Sequence, residues 1–293
     1  MKAFVFPGQG SQFPGMGYDL YKSNEKVKSL FNEADDVLGF ALSNVMFNGN
    51  EEELKQTKIT QPAIFLHSIA KLSVLQETHS PSAVAGHSLG EFSSLVANNT
   101  ISFEDGLKLV FLRSKAMQKS CENSNGIMAA ILGLDDKTIK ETCESFDGNV
   151  TAANFNCPGQ VVISGELNAV KKICEKFNEI GARRSILLPV GGAFHSNFMN
   201  DAKSELKEAI HKTKFNNPSC PIYQNFTAQK TTNIDIIKEN LINQLTAPVL
   251  WTQTINNMVD DGYLDYIEVG PGKVLQGLIR KINRETTTQS VLS

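Results

Sequence analysis

The cysteines of this sequence form no pattern. Cys121, Cys143, Cys157, Cys174 and Cys220 are odd in number and scattered, and no two stand as Cys-x-x-Cys. No histidine lies at metal-ligand spacing from any of them. A disulfide framework and a thiolate zinc site are therefore excluded, and no metal is expected. Scattered thiols suit a reducing compartment. Long apolar runs are also missing, so no segment is expected to span a membrane. The first residues, Met1-Lys2-Ala3-Phe4-Val5-Phe6-Pro7, lack the longer apolar region and small-residue cleavage site of a secretory signal. The expectation is a mature N-terminal strand in a cytoplasmic protein. Excess charge is absent too. With 28 Lys and Arg against 31 Asp and Glu, the net charge is −3. No global basic field is present to attract nucleic acid or an anionic membrane. There is no repeat of solenoid period and no low-complexity tract. The 293 residues are 41% hydrophobic, enough to bury a sizeable core in one large domain or two modest ones.

Apolar strands alternate with amphipathic helices, which predicts an α/β fold with a mostly parallel sheet. Residues 2–6 read as a strand followed by a glycine-rich loop, and 25–37 as a helix. A further helix opens at Gln61 with Pro62 in its first turn and runs to about Glu77. A strand over 82–87 precedes Gly86-His87-Ser88-Leu89-Gly90. Ser102 caps the next helix, which reaches about Cys121, with Asp105 three residues on. Between 123 and 189 the pattern is β-α-β-β-α-β, the order of a ferredoxin-like unit. The expected organisation is a large α/β core, 1–122 and 190–293, carrying an inserted ferredoxin-like βαββαβ subdomain over 123–189. The core resumes with helices at 197–212, 234–244, 251–261 and 273–283 and strands at 222–225 and 263–269.

The pentapeptide is the most informative stretch. Strand, Gly-x-Ser-x-Gly turn and helix make a nucleophile elbow, in which the serine sits above the sheet edge at a helix N-terminus. A serine hydroxyl needs a base. Of the five histidines, His67 reads as a core or helix-face residue, and His79 and His211 as solvated. His87 adjoins Ser88, and neighbouring side chains at a strand end point to opposite faces. His195 remains, in the small-residue loop Gly191-Gly192-Ala193-Phe194-His195-Ser196. Acyl transfer also needs oxyanion donors. The N–H of Leu89 follows the nucleophile, and the loop Gly8-Gln9-Gly10 can approach it after the first strand. Neither this loop nor Gly270-Pro271-Gly272-Lys273 fits a dinucleotide or phosphate-loop fingerprint. Arg113 shares a helix face with Leu109 and Met117. A guanidinium among apolar neighbours has either an internal carboxylate partner or a substrate anion to hold.

The chain resembles the malonyl-CoA:acyl-carrier-protein transacylases and the related acyltransferase domains of polyketide synthases. The resemblance runs through Phe6-Pro7-Gly8-Gln9-Gly10-Ser11-Gln12, Thr60-Gln61-Pro62-Ala63, Gly86-His87-Ser88-Leu89-Gly90-Glu91 and Arg113-Ser114-Lys115-Ala116-Met117-Gln118. It continues through Asn156-Cys157-Pro158-Gly159-Gln160-Val161-Val162, Gly192-Ala193-Phe194-His195-Ser196, Gln244-Leu245-Thr246-Ala247-Pro248-Val249-Leu250-Trp251 and Glu268-Val269-Gly270-Pro271-Gly272-Lys273-Val274-Leu275. These stretches stand in the family's order and span nearly the whole chain.

The resemblance implies a hydrolase-like core and a role for each matching position. Ser88 would be acylated and His195 would be base and acid. Gln9 and Leu89 would give backbone N–H groups to the oxyanion, and Arg113 would hold the malonyl carboxylate. A main-chain carbonyl orients the histidine in this family, and Gln244 matches that position. Malonyl-CoA would be the donor, and acyl carrier protein the acceptor, bringing its own phosphopantetheine. No permanently bound cofactor is implied, and a monomer is expected. Ala193-Phe194-His195 looks like the malonyl-type signature. Thr246-Ala247-Pro248 departs from the Asn-Pro often found there, which leaves the Gln244 carbonyl intact. The closest alternative is a serine hydrolase. Against it, no His-Gly-Gly-Gly segment occurs, and the candidate histidine is followed by a long further stretch. A non-catalytic carrier-protein scaffold is the second alternative, which intact Ser88, His195 and Arg113 disfavour.

Overall fold

The computed structural model describes residues 1–76 and 79–291. Glu77, the expected end of one helix, and residues 292–293 of the expected core segment lie outside the described residues. In chain order the chain forms β1 (Lys2–Phe6), α1 (Tyr18–Ser23), α2 (Glu25–Leu38), α3 (Leu42–Asn48), α4 (Glu51–Lys55), α5 (Thr57–Leu75), β2 (Ala83–Gly86), α6 (Gly90–Ala97) and α7 (Phe103–Glu122). Then come β3 (Gly126–Leu132), α8 (Asp136–Ser145), β4 (Val150–Cys157), β5 (Gln160–Glu166), α9 (Leu167–Glu179) and β6 (Arg184–Leu187). The remainder is a 3-10 turn (Asn197–Met199), α10 (Asn200–Lys212), β7 (Ile222–Tyr223), β8 (Lys230–Thr231), α11 (Ile234–Gln244), α12 (Trp251–Asp260), β9 (Asp265–Glu268), α13 (Val274–Ile282) and β10 (Thr287–Ser290).

Two sheets organise these elements. The larger has the order β10-β9-β1-β2-β7-β8 and is parallel except for β8, which runs antiparallel to β7. The central strands β1 and β2 are short and, past the exposed Lys2, apolar and buried because both faces are covered; Phe4 and Phe6 enter one core, and Ala3 and Val5 another. The smaller sheet, β4-β5-β3-β6, is antiparallel throughout. That order is what the split β-α-β motif produces, and helices α8 and α9 pack on it around Ile139, Val170, Ile173 and Phe177. The α/β reading and the order of elements in 123–189 agree with this arrangement. Among the described residues no helix is long and apolar enough to cross a membrane. All five thiols are unpaired and buried.

Local differences from the sequence reading have physical reasons. Helix α5 begins at Thr57, so Pro62 lies inside it rather than in a first turn opened at Gln61. Proline has no N–H for the carbonyl four residues back. Here that carbonyl, of Lys58, has the Ser114 hydroxyl of α7 at 3.4 Å, although that hydroxyl donates more closely to Phe111 O at 2.8 Å. The helix around Pro62 is buried from Thr60 to Ala70. Tertiary packing thus tolerates what the local rule forbids. The expected strand over 222–225 pairs only through Tyr223, because the Gln224 backbone bonds within a turn, to the Gln229 carbonyl and the Ala228 N–H, and the Asn225 N–H donates to Glu91 Oε1. His67 is buried inside α5, and its Nδ1 has no partner among the described residues. Burial pushes its ring down to about 3, so it packs as a neutral ring.

Gly270-Pro271-Gly272-Lys273 also finds its place. The loop leads into α13, and the N-terminus of that helix is occupied by the chain's own anion. Glu268 accepts from the amides of Leu275 and Gln276, both at 3.1 Å. Glu268 is 1% exposed. Glu268→Ala is expected to leave those two amides without acceptors and to cost about 1–2 kcal/mol. At roughly 2–4 °C per kcal/mol for a chain of this size, Tm should fall by roughly 2–8 °C in a thermal melt, with KM unchanged.

Candidate active site

The elbow forms where β2 ends and α6 begins. A Cβ at Gly86 would collide with the backbone of Gly90, and one at Gly90 with the carbonyl of Phe6 on β1. Only glycine fits either position, and the tight turn between them lifts Ser88 to the C-terminal edge of the parallel sheet. Ser88 itself has φ 51°, and His195 has φ 56°. Both are held in the left-handed region that non-glycine residues rarely adopt, a form of strain that gathers at functional sites.

Ser88 Oγ lies 2.8 Å from His195 Nε2. His195 Nδ1 lies 2.9 Å from the main-chain carbonyl of Gln244. A carbonyl only accepts, so Nδ1 carries the proton and Nε2 is free to accept from the serine hydroxyl. His195 is 4% exposed. Burial, reinforced by the charge of Arg113, pushes its ring down to about 3, which keeps it a neutral acceptor.

Arg113 reaches the same oxygen from α7. Its Nη2 donates to Ser88 Oγ at 3.0 Å and to Gln244 Oε1 at 3.2 Å, and its Nη1 donates to Gln61 Oε1 at 2.5 Å. Nε has no partner among the described residues. The guanidinium is 1% exposed and lies over the Phe92 ring. Burial pulls it down to about 10, still cationic at neutral pH, with the charge of Glu91 opposing the fall. Among the described residues no carboxylate oxygen comes within 4.0 Å of it. Of the two readings open for Arg113, the internal ion pair is therefore not what is seen. All its hydrogen-bond partners are neutral, which leaves the buried cation chemically suited to an anion.

These groups open on a cavity of about 500 Å³ that also meets Gln9, Leu89, Phe13, Met128 and Phe194. The Gly8-Gln9-Gly10 loop is pressed on the elbow: His87 N–H donates to Phe6 O at 2.9 Å, and a Cβ at Gly8 would strike the His87 carbonyl. Gln9 and Leu89 thus border the nucleophile from two loops. His87 also lines the cavity. Its Nε2 meets Asn156 Oδ1 at 2.8 Å, and its ring lies against Trp251. Gln160, in the same quoted stretch as Asn156, contacts the Cys157 thiol at 3.7 Å and does not line the cavity. No group of three or more His, Cys, Asp or Glu among the described residues could hold a metal.

Three contributors went unnoticed in the sequence. Gln61 holds Arg113 from α5. Glu91, wholly buried in the first turn of α6, is pushed up to about 7 by burial. Asn225 clasps the elbow from the end of β7. The Gln244 side chain, beyond its carbonyl, adds an amide that donates to Ser88 O at 3.0 Å. Gln61 and Gln244 lie in stretches that carry the resemblance. The only signal for Asn225 was a polar pair, Gln224-Asn225, at the C-terminal end of an apolar strand.

A serine, a neutral imidazole oriented by a carbonyl, and an unpaired buried guanidinium converge on one oxygen. The acyl transferase domain family matches residues 3–292. The chain belongs to that acyl transferase family. A malonyl CoA-acyl carrier protein transacylase of Bacillus subtilis is 44% identical over 99% of this acyl transferase and 92% of its own length. An acyl carrier protein S-malonyltransferase from Vibrio cholerae superposes with a TM-score of 0.95 at 40% identity, covering 99% of this chain and 96% of that one. A malonyl-transacylase solved in complex with a type II polyketide-synthase acyl-carrier protein superposes with a TM-score of 0.94 at 38% identity, covering 99% and 94%.

Proposed function

We propose that this acyl transferase moves a malonyl group from malonyl-CoA to the phosphopantetheine thiol of acyl carrier protein, for fatty acid biosynthesis, through a malonyl ester on Ser88. The observation that carries the reading is the shared oxygen: Ser88 Oγ sits between a hydrogen-bond acceptor, His195 Nε2 at 2.8 Å, and a buried cation, Arg113 Nη2 at 3.0 Å. In the first half-reaction the malonyl carboxylate pairs with Arg113, which aligns the thioester carbonyl with Oγ. His195 Nε2 takes the Ser88 proton as Oγ attacks the carbonyl carbon. The N–H groups of Gln9 and Leu89 receive the oxyanion. The C–S bond breaks, and the CoA thiolate takes the proton from His195. The second half-reaction reverses these roles: His195 takes the proton of the carrier thiol, its sulfur attacks the ester, and Ser88 Oγ leaves with that proton.

The division into a core, 1–122 and 190–293, and a small subdomain, 123–189, belongs to the same reading. The cavity is lined from both, by Met128, Asn154 and Val162 on one side and Ser88, Arg113 and His195 on the other. So do a monomeric state, a cytoplasmic setting without a membrane or nucleic-acid partner, and the absence of a resident cofactor: every group the two half-reactions need is a side chain, a backbone amide or part of a substrate.

Transfer of radiolabelled malonyl from malonyl-CoA to purified carrier protein tests the reading. Rapid labelling of the carrier supports it; release of free malonate without carrier labelling would instead indicate the serine-hydrolase alternative. The acid limb of the reaction gives a second expectation. An ordinary imidazole protonates near 6.5 and would lose its basicity below that. With the His195 ring down at about 3, the free enzyme keeps a neutral base on the acid side of neutrality. Glu91, pushed up to about 7 by burial, titrates in the same range, so the profile is read in Glu91→Gln: there kcat/KM for malonyl-CoA should stay flat from pH 8 to about 5, with no inflection near 6.5. A fall beginning at pH 6.5 would show that His195 titrates normally.

A further inference from the structure

The backbone of the elbow is held by a residue outside the reacting set. Asn225 is wholly buried, two residues past the paired end of β7. Strand β7 lies parallel to β2, with Ala85 beside Tyr223, which brings Asn225 level with the turn. Every polar group of Asn225 is used. Its Oδ1 accepts the Ser88 N–H at 2.6 Å, and its Nδ2 donates to the Gly86 carbonyl at 2.7 Å. Its own N–H donates to Glu91 Oε1, and its carbonyl accepts from Leu250 N–H at 3.1 Å. One amide thus grips the chain on both sides of His87, at Gly86 and at the strained Ser88. Gln244 Nε2 completes the grip by donating to the Ser88 carbonyl.

Two consequences follow. A serine at φ 51° relaxes unless its surroundings over-determine it, and here both polar groups of its peptide are tied to buried side chains. Second, the Ser88 N–H is consumed by Asn225 Oδ1 and turned away from the cavity. It cannot serve the oxyanion, which leaves that task to the amides of Leu89 and Gln9.

We infer that Asn225 is a positioning residue for acyl transfer: its side-chain amide bridges Gly86 and Ser88, fixing the direction of Oγ and withholding the Ser88 amide from the oxyanion site. The inference rests on Ser88 being the acylated residue. It makes a prediction that separates it from the substrate anchor. The elbow serves any acyl group, so damage to it should fall equally on malonyl-CoA and acetyl-CoA and should appear in kcat rather than KM.

The test compares wild type, Asn225→Ala and Asn225→Asp. Asn225→Ala removes both hydrogen bonds. Asn225→Asp keeps the shape and an acceptor for Ser88 N–H, but it sets a carboxylate oxygen against the Gly86 carbonyl. Misplacing a reacting atom by about 1 Å costs about 100-fold. Single-turnover acylation should fall by about that factor for both acyl groups in Asn225→Ala, and less in Asn225→Asp, with KM within about threefold of wild type. A folded variant acylated at the wild-type rate overturns the inference, and so does a loss confined to KM or to malonyl-CoA. Hydrogen exchange on the wild type reads the same bond without a substitution. The Ser88 amide should be protected both free and acylated, and fast exchange there overturns the inference. If wild type itself forms no malonyl adduct on Ser88, the reading of function has failed instead.

Discussion

Ser88→Ala is expected to abolish the malonyl adduct and to lower the transfer rate by about 10⁶, the scale found when the nucleophile of a serine–histidine pair is removed. The size follows from the route. With the hydroxyl gone, CoA thioester and carrier thiol would have to meet in one site, and no bond can form to the protein between the two half-reactions. The change deletes one oxygen from a turn whose backbone is held by Asn225 and Gln244 through Ser88 N and O, so the fold should persist. His195 and Arg113 both lose a shared partner at Oγ. Their contributions therefore cannot add to that of the serine. A Ser88→Ala/His195→Ala double variant should be no slower than Ser88→Ala alone. Intact-mass measurement after incubation with malonyl-CoA checks the first expectation. A stable adduct on Ser88→Ala would place the nucleophile elsewhere.

The two halves of this site differ in how they are written in the sequence. The elbow is local. Gly86 and Gly90 are required by contacts within a few residues and with the neighbouring strand, so five consecutive letters disclose it. His195 was reachable by elimination because only five histidines exist. The tethers are not local. Arg113 meets Gln61 across 52 positions, and Ser88 meets Asn225 across 137. Glutamine and asparagine amides carry no charge, periodicity or turn signature, so nothing near them marks them as partners. Pro62 shows the same limit in the fold. A local rule puts it in a first turn, whereas burial of the surrounding helix against the core holds it in the helix interior. Strand order in the small sheet was legible because a β-α-β-β-α-β rhythm admits few pairings. Gln244 combines both cases. Its carbonyl could be placed by resemblance, since any residue supplies one. Its side chain, which ties Arg113 to the Ser88 backbone, is specific to glutamine and was visible only in three dimensions.

Arg113→Ala should invert substrate preference. In the intact site the guanidinium is buried with neutral partners, Gln61, Gln244 and Ser88. Burying such a charge without a counter-ion is costly, and in the proposed reaction a malonyl carboxylate would supply one. Removing one partner of a buried, hydrogen-bonded charge pair costs about 3–5 kcal/mol, or about two to four orders of magnitude in kcat/KM for malonyl-CoA. Acetyl-CoA brings no carboxylate, so it makes no such contact to lose. For it the variant removes an uncompensated cation and a charge that depresses the His195 ring, so its rate should hold or rise. Arg113→Lys should fall between, because an ammonium offers a point charge in place of a planar two-point fork. Measuring kcat/KM for both thioesters on the three proteins decides the matter. Equal losses for malonyl and acetyl groups would mean that Arg113 acts on Ser88 and His195 alone, and the selection of an acidic acyl group would then need another source in the cavity.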